Sequence, residues 1–217
     1  MEKDLVHIQA EKVSLEGSLK IPKGAKGIVL FAHGSGSSRH SPRNQFVAKF
    51  LQEGGVATLL IDLLTQDEER EDSVTGELRF DIALLARRLV AVTDWLQKNS
   101  QTRELDIGYF GASTGAAAAL VAAVEKASLI SAVVSRGGRP DMAGSILHLV
   151  KAPTLLIVGE RDREVIGMNE AAFDKLKCEK KLAIVPNATH LFEEPGALEA
   201  VAKLARAWFS THLGARA

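Results

Sequence analysis

From Gly27 onward the chain alternates short, unbroken apolar runs with segments of helical periodicity, and this alternation is what most constrains its fold. Gly27–Ala32 (GIVLFA), Val56–Ile61 (VATLLI), Leu105–Phe110, Leu129–Val134, Thr154–Val158 (TLLIV) and Lys181–Val185 read as strands. They are too short for buried helices, and their continuous apolar character suits a parallel sheet covered on both faces. Between them Asn44–Glu53, Leu78–Lys98, Gly115–Lys126, Ser145–Val150, Val165–Leu176 and Gly196–His212 read as helices. In the longest, apolar residues recur at Ile82, Leu85, Leu89, Val92 and Leu96, a helical spacing. Ahead of this series, alternating stretches around Leu5–Gln9 and Lys12–Ile21, ended by Pro22 and Gly24, predict an antiparallel hairpin. The expectation is a single α/β domain over residues 1–217, a mostly parallel sheet of about eight strands with helices on both faces.

Charge narrows the range of partners. The 27 Lys and Arg residues balance the 27 Asp and Glu residues, so the basic excess expected of a nucleic-acid or polyanion binder is missing. The single cysteine, Cys178, can form neither an internal disulfide nor a thiolate metal site, which fits a reducing, cytoplasmic compartment. Met1–Ala10 (MEKDLVHIQA) has no apolar core of a secretory leader. The longest apolar run, Ala116–Val124, stops at Glu125, far short of the ~20 residues of a membrane span. A soluble cytoplasmic protein without nucleic-acid or membrane partners is expected.

In an open parallel sheet ligands bind at the carboxyl ends of the strands, so the residues just after each strand matter most. Leu105–Phe110 is followed by Gly111-Ala112-Ser113-Thr114-Gly115, a G-x-S-x-G placed between a buried strand and an alanine-rich helix. A reversal at one residue strains Ser113, and close approach of the flanking turns demands glycine at 111 and 115. The hydroxyl of Ser113 is thereby lifted off the sheet at the positive end of the next helix, and the Thr114 N–H is free to donate to an oxyanion. The alternative is an ordinary glycine-rich turn with a capping serine.

A nucleophilic serine needs a base, and the base an orienting acid. Of the histidines, His7 lies in the hairpin, His148 in a helix and His212 at the chain's frayed end, whereas His190 follows the last strand in the loop 186–192. Asp162, just after TLLIV, is the first candidate for the acid; Asp141, after the preceding strand, is second and Glu160 third. The order Ser113, Asp162, His190 is that of the α/β-hydrolase fold. A second oxyanion donor should come from the small-residue loop His33-Gly34-Ser35-Gly36, and the Ser35 N–H is the candidate, with His33 bonding inside the loop. A phosphate cradle is the other reading of that loop, but Arg39 stands where G-x-G-x-x-G needs its third glycine.

These segments, with Ala188-Thr189-His190 and Gly159-Glu160-Arg161-Asp162, resemble the dienelactone hydrolase-like group of α/β-hydrolases along nearly the whole chain. Phe31–Asn44 and Arg136-Gly137-Gly138-Arg139-Pro140-Asp141 are similar in particular to the hydrolase half of proteins fused to a phosphoribosyltransferase. The resemblance implies ester or lactone hydrolysis with no cofactor and no metal. It departs at the elbow, where dienelactone hydrolases carry cysteine and this chain carries Ser113.

The expected activity is therefore that of a serine esterase acting through an acyl-enzyme on Ser113. A thioesterase or small peptidase would use the same triad, and a non-catalytic binding domain could share the fold. Only Ser135–Pro153 is available for a lid after Leu129–Val134, so no large lid is expected and small soluble esters are favoured. The acidic stretch Asp62–Glu77 reads as a loop that is either solvated or leaning over the site. Arg39 and Arg136, on loops near the strand ends, suggest recognition of an anionic group on the ester, against the alternative that they pair with nearby acids.

Overall fold

A computed structural model describes Asp4–Gly214; of the opening segment read for a leader, Met1–Lys3 lie outside the described residues. Its eight strands form one sheet in the order β1-β2-β4-β3-β5-β6-β7-β8. Leu5–Ala10 (β1) and Val13–Lys20 (β2) pair antiparallel, and β2 adds antiparallel to Ala57–Ile61 (β4). Gly27–Ala32 (β3), Asp106–Ala112 (β5), Ile130–Arg136 (β6), Thr154–Gly159 (β7) and Lys180–Val185 (β8) complete it, all parallel to their neighbours and to β4. This is the α/β-hydrolase architecture with its antiparallel entry.

The side-chain period of two in the inner strands feeds two cores. Ile28, Leu30, Leu59, Tyr109 and Val133 face the layer containing Ile82–Lys98 (α3) and Thr114–Glu125 (α4). Val29, Phe31, Leu60, Phe110 and Val134 face Pro42–Glu53 (α1) and Ala197–His212 (α6), where Val47, Leu51, Val201 and Phe209 are buried. Alanines 116–119 in α4 are fully buried, and their small size lets that helix lie close to the sheet.

Three segments differ from the sequence expectation. The short helix expected over Ser145–Val150 is part of a 3-10 stretch, Pro140–Leu149, kinked at Gly144. The predicted helix Leu78–Lys98 begins instead as a short 3-10 turn, Leu78–Phe80, and is broken at Asp81, whose carboxylate accepts from the Leu84 N–H to start α3. The stretch read as a loop contains a further helix, Gln66–Thr75 (α2), closed by a capping box. There Thr65 Oγ1 accepts from Glu68 N–H and the Glu68 carboxylate accepts from Thr65 N–H, while Gly76 ends the helix in the left-handed conformation. Arg163–Lys175 (α5) fills the crossover from β7 to β8.

Candidate active site

The chain runs from β3 to β4 on one side and then back to β5 on the other, so the crevice between the ends of β3 and β5 is a switch point of the sheet. Ser113 stands there, one residue past β5, with φ 50° and ψ −122°. Holding a non-glycine residue at that φ costs about 1–3 kcal/mol and persists only where surrounding structure enforces it. The enforcement is visible on all sides. A Cβ at Gly111 would overlap the Ala116 backbone, and one at Gly115 would strike the carbonyl oxygens of Ala32 and His33. The Ser113 N–H donates to Arg136 O at 3.3 Å, and the Arg139 N–H donates to Ser113 O at 3.1 Å. The Ser113 side chain does not cap α4, so its hydroxyl remains available for chemistry.

The oxyanion loop approaches from β3. A Cβ on Gly34 would come within 2.9 Å of Ser113 Cβ, which explains the glycine. Ser35 Oγ and Thr114 Oγ1 lie 3.1 Å apart, bringing together the two residues singled out as oxyanion donors. Among the described residues no acceptor takes the Ser35 or Thr114 N–H. His33 is held neutral inside this loop. Its Nδ1 lies 2.9 Å from Gly34 O, and its Nε2 accepts from the Leu63 N–H at 3.0 Å. Burial, opposed by the Gly34 contact and by Asp62, pushes its pKa below the usual histidine value. With both ring nitrogens occupied it is not available as a base.

Asp162 is at the N-cap position of α5, yet makes no capping bond. Its carboxylate instead accepts from His190 Nδ1 at 2.6 Å. The two other candidate acids are occupied: Asp141 takes a bidentate grip from Arg139, and Glu160 accepts from the Asn187 N–H at 2.7 Å. The Arg139 bonds hold the Asp141 carboxyl below the usual carboxylate range. The loop carrying His190 is fixed by Arg161 N–H to Ala188 O and Phe192 N–H to Thr189 O, with Phe192 buried beneath it at φ 56°. A Cβ on Gly137 would sit 3.5 Å from His190 Cε1, so the elbow and the His190 loop converge on the turn after β6. Ser113 and His190 share no hydrogen bond in this state; such bonds often tighten only when substrate is present.

The two arginines proposed for an anionic substrate are placed differently. Arg39 lies under the oxyanion loop and is consumed by carboxylates, with its guanidinium on Asp62 and on Glu16 at 2.6 Å. Arg136 is buried at the end of β6, 5.9 Å from the Phe192 ring centroid, with a bond to Asn44 Oδ1 at 3.4 Å and no carboxylate partner among the described residues. Burial and the neighbouring Arg43 push its pKa down to about 10. Cys178 is half-buried beside Thr154 at the opposite end of the sheet. Among the described residues no group of three or more His, Cys, Asp or Glu side chains could hold a metal, and no helix is long and apolar enough to cross a membrane.

Beside the oxyanion loop opens a cavity of about 290 Å3. Gly34, Ser35 and Thr114 form one wall and Leu64 and Leu85 contribute apolar surface. The opposite wall is built by α2 and the turn after it, through Glu69, Asp72, Ser73 and Arg79. The sequence offers 62–77, with Glu69 and Asp72, as a loop either solvated or leaning over the site; the structure forms this wall from a helix in that stretch, and from Arg79, read there as the first turn of the helix Leu78–Lys98. Thr65-x-x-Glu68 and Gly76 were the signal for the helix that positions them.

The model of the dienelactone hydrolase family matches residues 15–212. A putative phosphoribosyl transferase of Mycobacterium tuberculosis is 56% identical over 208 residues, 96% of this chain but only 46% of the relative. The chain thus spans about half the length of the curated relatives it matches. A dienelactone hydrolase from Anabaena variabilis is 63% identical, with a TM-score of 0.95 over 96% of this chain and 97% of that one. Est1E from Butyrivibrio proteoclasticus shares the fold at 18% identity, with a TM-score of 0.81 over 97% and 99% of the two chains.

Proposed function

The chain belongs to the dienelactone hydrolase family, and we propose that it is a serine hydrolase cleaving small carboxylic esters or lactones through an acyl-enzyme on Ser113. The observation that carries this reading is the Asp162–His190 contact of 2.6 Å. An aspartate that leaves its own helix uncapped to orient an imidazole is serving the imidazole rather than the helix. The strained Ser113 and the unclaimed Ser35 and Thr114 N–H groups support the same reading.

In the proposed cycle His190 Nε2 takes the Ser113 proton as Oγ bonds to the ester carbonyl carbon, and the carbonyl electrons move onto an oxyanion facing Ser35 and Thr114 N–H. The oxyanion collapses, the carbon–oxygen bond to the leaving alcohol breaks, and the imidazolium returns its proton to that alcohol. Water, deprotonated by the same nitrogen, then releases the acid and restores Ser113. Asp162 holds the ring with its proton on Nδ1 and stabilises the transient cation. The short α2 covers one wall only, which favours small soluble esters over aggregated lipid.

A fluorophosphonate probe tests the reading. Labelling of the wild type, absent in Ser113→Ala, is the expected result. A well-folded wild-type protein that neither labels nor hydrolyses 4-nitrophenyl acetate would refute it.

A further inference from the structure

The cavity beside the oxyanion loop has a direction relative to the proposed chemistry. The leaving group must face His190, which protonates it. No residue of the His190 loop lines the cavity, whereas Ser35 and Thr114 do. In the serine-hydrolase reading on which this step rests, the cavity therefore receives the acyl part of the ester.

Its charge can be followed pair by pair. Asp72 is taken by Arg79, whose backbone N–H and Nε donate to it at 3.0 and 2.5 Å. Arg39 is taken by Asp62 and Glu16. Four carboxylates around this side of the site, Glu16, Asp62, Glu69 and Asp72, thus share two guanidiniums. The Glu69 side chain makes no hydrogen bond or ion pair among the described residues and lines the cavity from the first turns of α2. Its carboxyl is pushed above the usual range by partial burial and then by Asp62 and Asp72, with Arg39 and Arg79 opposing. Burial is the larger cause; Asp62 and Asp72 add a local field that favours positive charge.

We propose that Glu69 is a specificity-determining residue, and that the cavity takes an acyl chain with an apolar stem and a terminal ammonium group. Leu64 and Leu85 supply apolar contact for the stem, and the unpaired carboxylate on the α2 wall receives the cation. The anionic ester suggested by the arginines would place its charge against Glu69 if its acyl chain entered here.

Three 4-nitrophenyl esters of matched length test this: the 4-(trimethylammonio)butanoate, its neutral isostere the 5,5-dimethylhexanoate, and the anionic 4-sulfobutanoate. Glu69 is exposed, and a single exposed carboxylate corresponds to roughly 1.5- to fivefold discrimination. The wild type should therefore prefer the cationic ester over its isostere by about threefold in kcat/KM and disfavour the sulfonate. Glu69→Gln should bring the cation-to-neutral ratio to about unity, and Glu69→Lys should invert it. Glu71→Gln removes the same charge from α2 without touching the cavity lining and should leave the ratio in place. Neutral or anionic preference in the wild type, or a ratio that Glu69→Gln does not move, would overturn the proposal. So would an equal effect of the two Gln variants. Hydrolysis of the neutral ester in those cases leaves the serine-hydrolase reading standing. If no ester is hydrolysed and the fluorophosphonate does not label Ser113, both fall together.

Discussion

Replacing Asp162 by Asn probes the point where the proposed triad differs most from a chance grouping. The carboxylate sits 2.6 Å from His190 Nδ1 and its side chain is 15% exposed, so its interaction with a transient imidazolium is only partly screened. With charge centres about 4 Å apart and an effective dielectric constant of about 20, that interaction is of order 4 kcal/mol. At about 1.4 kcal/mol per decade this amounts to roughly three decades of rate. An amide turned with its NH2 toward Nδ1 also forces the proton onto Nε2, where the base must be free; in a well-studied triad the corresponding change lowers kcat about 10^4-fold. Asp162→Asn should therefore lower kcat/KM for 4-nitrophenyl acetate by about 10^3 to 10^4 and slow fluorophosphonate labelling in parallel. Urea unfolding should show the variant folded, since Asp162 caps nothing. Asp141→Asn breaks a surface pair with Arg139 and should change kcat/KM less than about fivefold. Asp162→Asn within tenfold of wild type, with Asp141→Asn inactive, would refute the assignment.

Three further outcomes follow from the same geometry. Gly115→Ala would set a methyl against the Ala32 and His33 carbonyl oxygens, and should destabilise by more than about 3 kcal/mol in urea unfolding or prevent folding. His33 has a folded-state pKa below its ordinary 6.5, so the unfolded chain binds the extra proton; the neutral ring's stabilisation is whole above about 6.5 and lost as pH falls through the folded value. Comparing unfolding free energies from pH 7.5 to 5, wild type should lose up to about 1.4 kcal/mol per pH unit more than His33→Gln. Arg136→Met removes a buried cation with no carboxylate partner among the described residues while keeping its backbone carbonyl, which accepts from Ser113. Thermal unfolding should show it neutral or stabilised by about 1–3 kcal/mol, and a large loss would mean that the guanidinium has a partner in solution.

Strand–helix alternation was legible because each inner strand is apolar on both faces, and the order Ser113, Asp162, His190 because each residue leaves a strand at the same sheet edge. The elbow was legible for a steric reason: glycine at 111 and 115 is what the packing of α4 over β3 and β5 requires. Choosing Asp162 over Asp141 was only an order of preference in the sequence. The structure separates the two by their hydrogen bonds, since Arg139 occupies Asp141 from two residues away while Asp162 reaches His190 across the sheet edge. The helix α2 escaped because its polar, acidic composition lacks an apolar face, and its mean hydropathy belongs to a loop. Its capping box and terminal Gly76 are local signals that outweigh that composition.

Which cation pairs with which acid is a tertiary property, and it changes the substrate expected from this chain. Arg39 and Arg136 are near the site in sequence terms, and the planar guanidinium suits an anion. Folding places Arg39 between Asp62 and Glu16, and places Arg136 against Phe192, where it is not among the residues that line the cavity. The balance of 27 basic and 27 acidic residues over the whole chain therefore does not hold locally. Asp72 and Asp62 each draw an arginine into an ion pair, and the charge left facing the open space beside Ser35 and Thr114 is the carboxylate of Glu69. Specificity in such a site follows from the group left unpaired, and if the proposed esterase reading holds, this wall should discriminate by the charge of the acyl end before it discriminates by size.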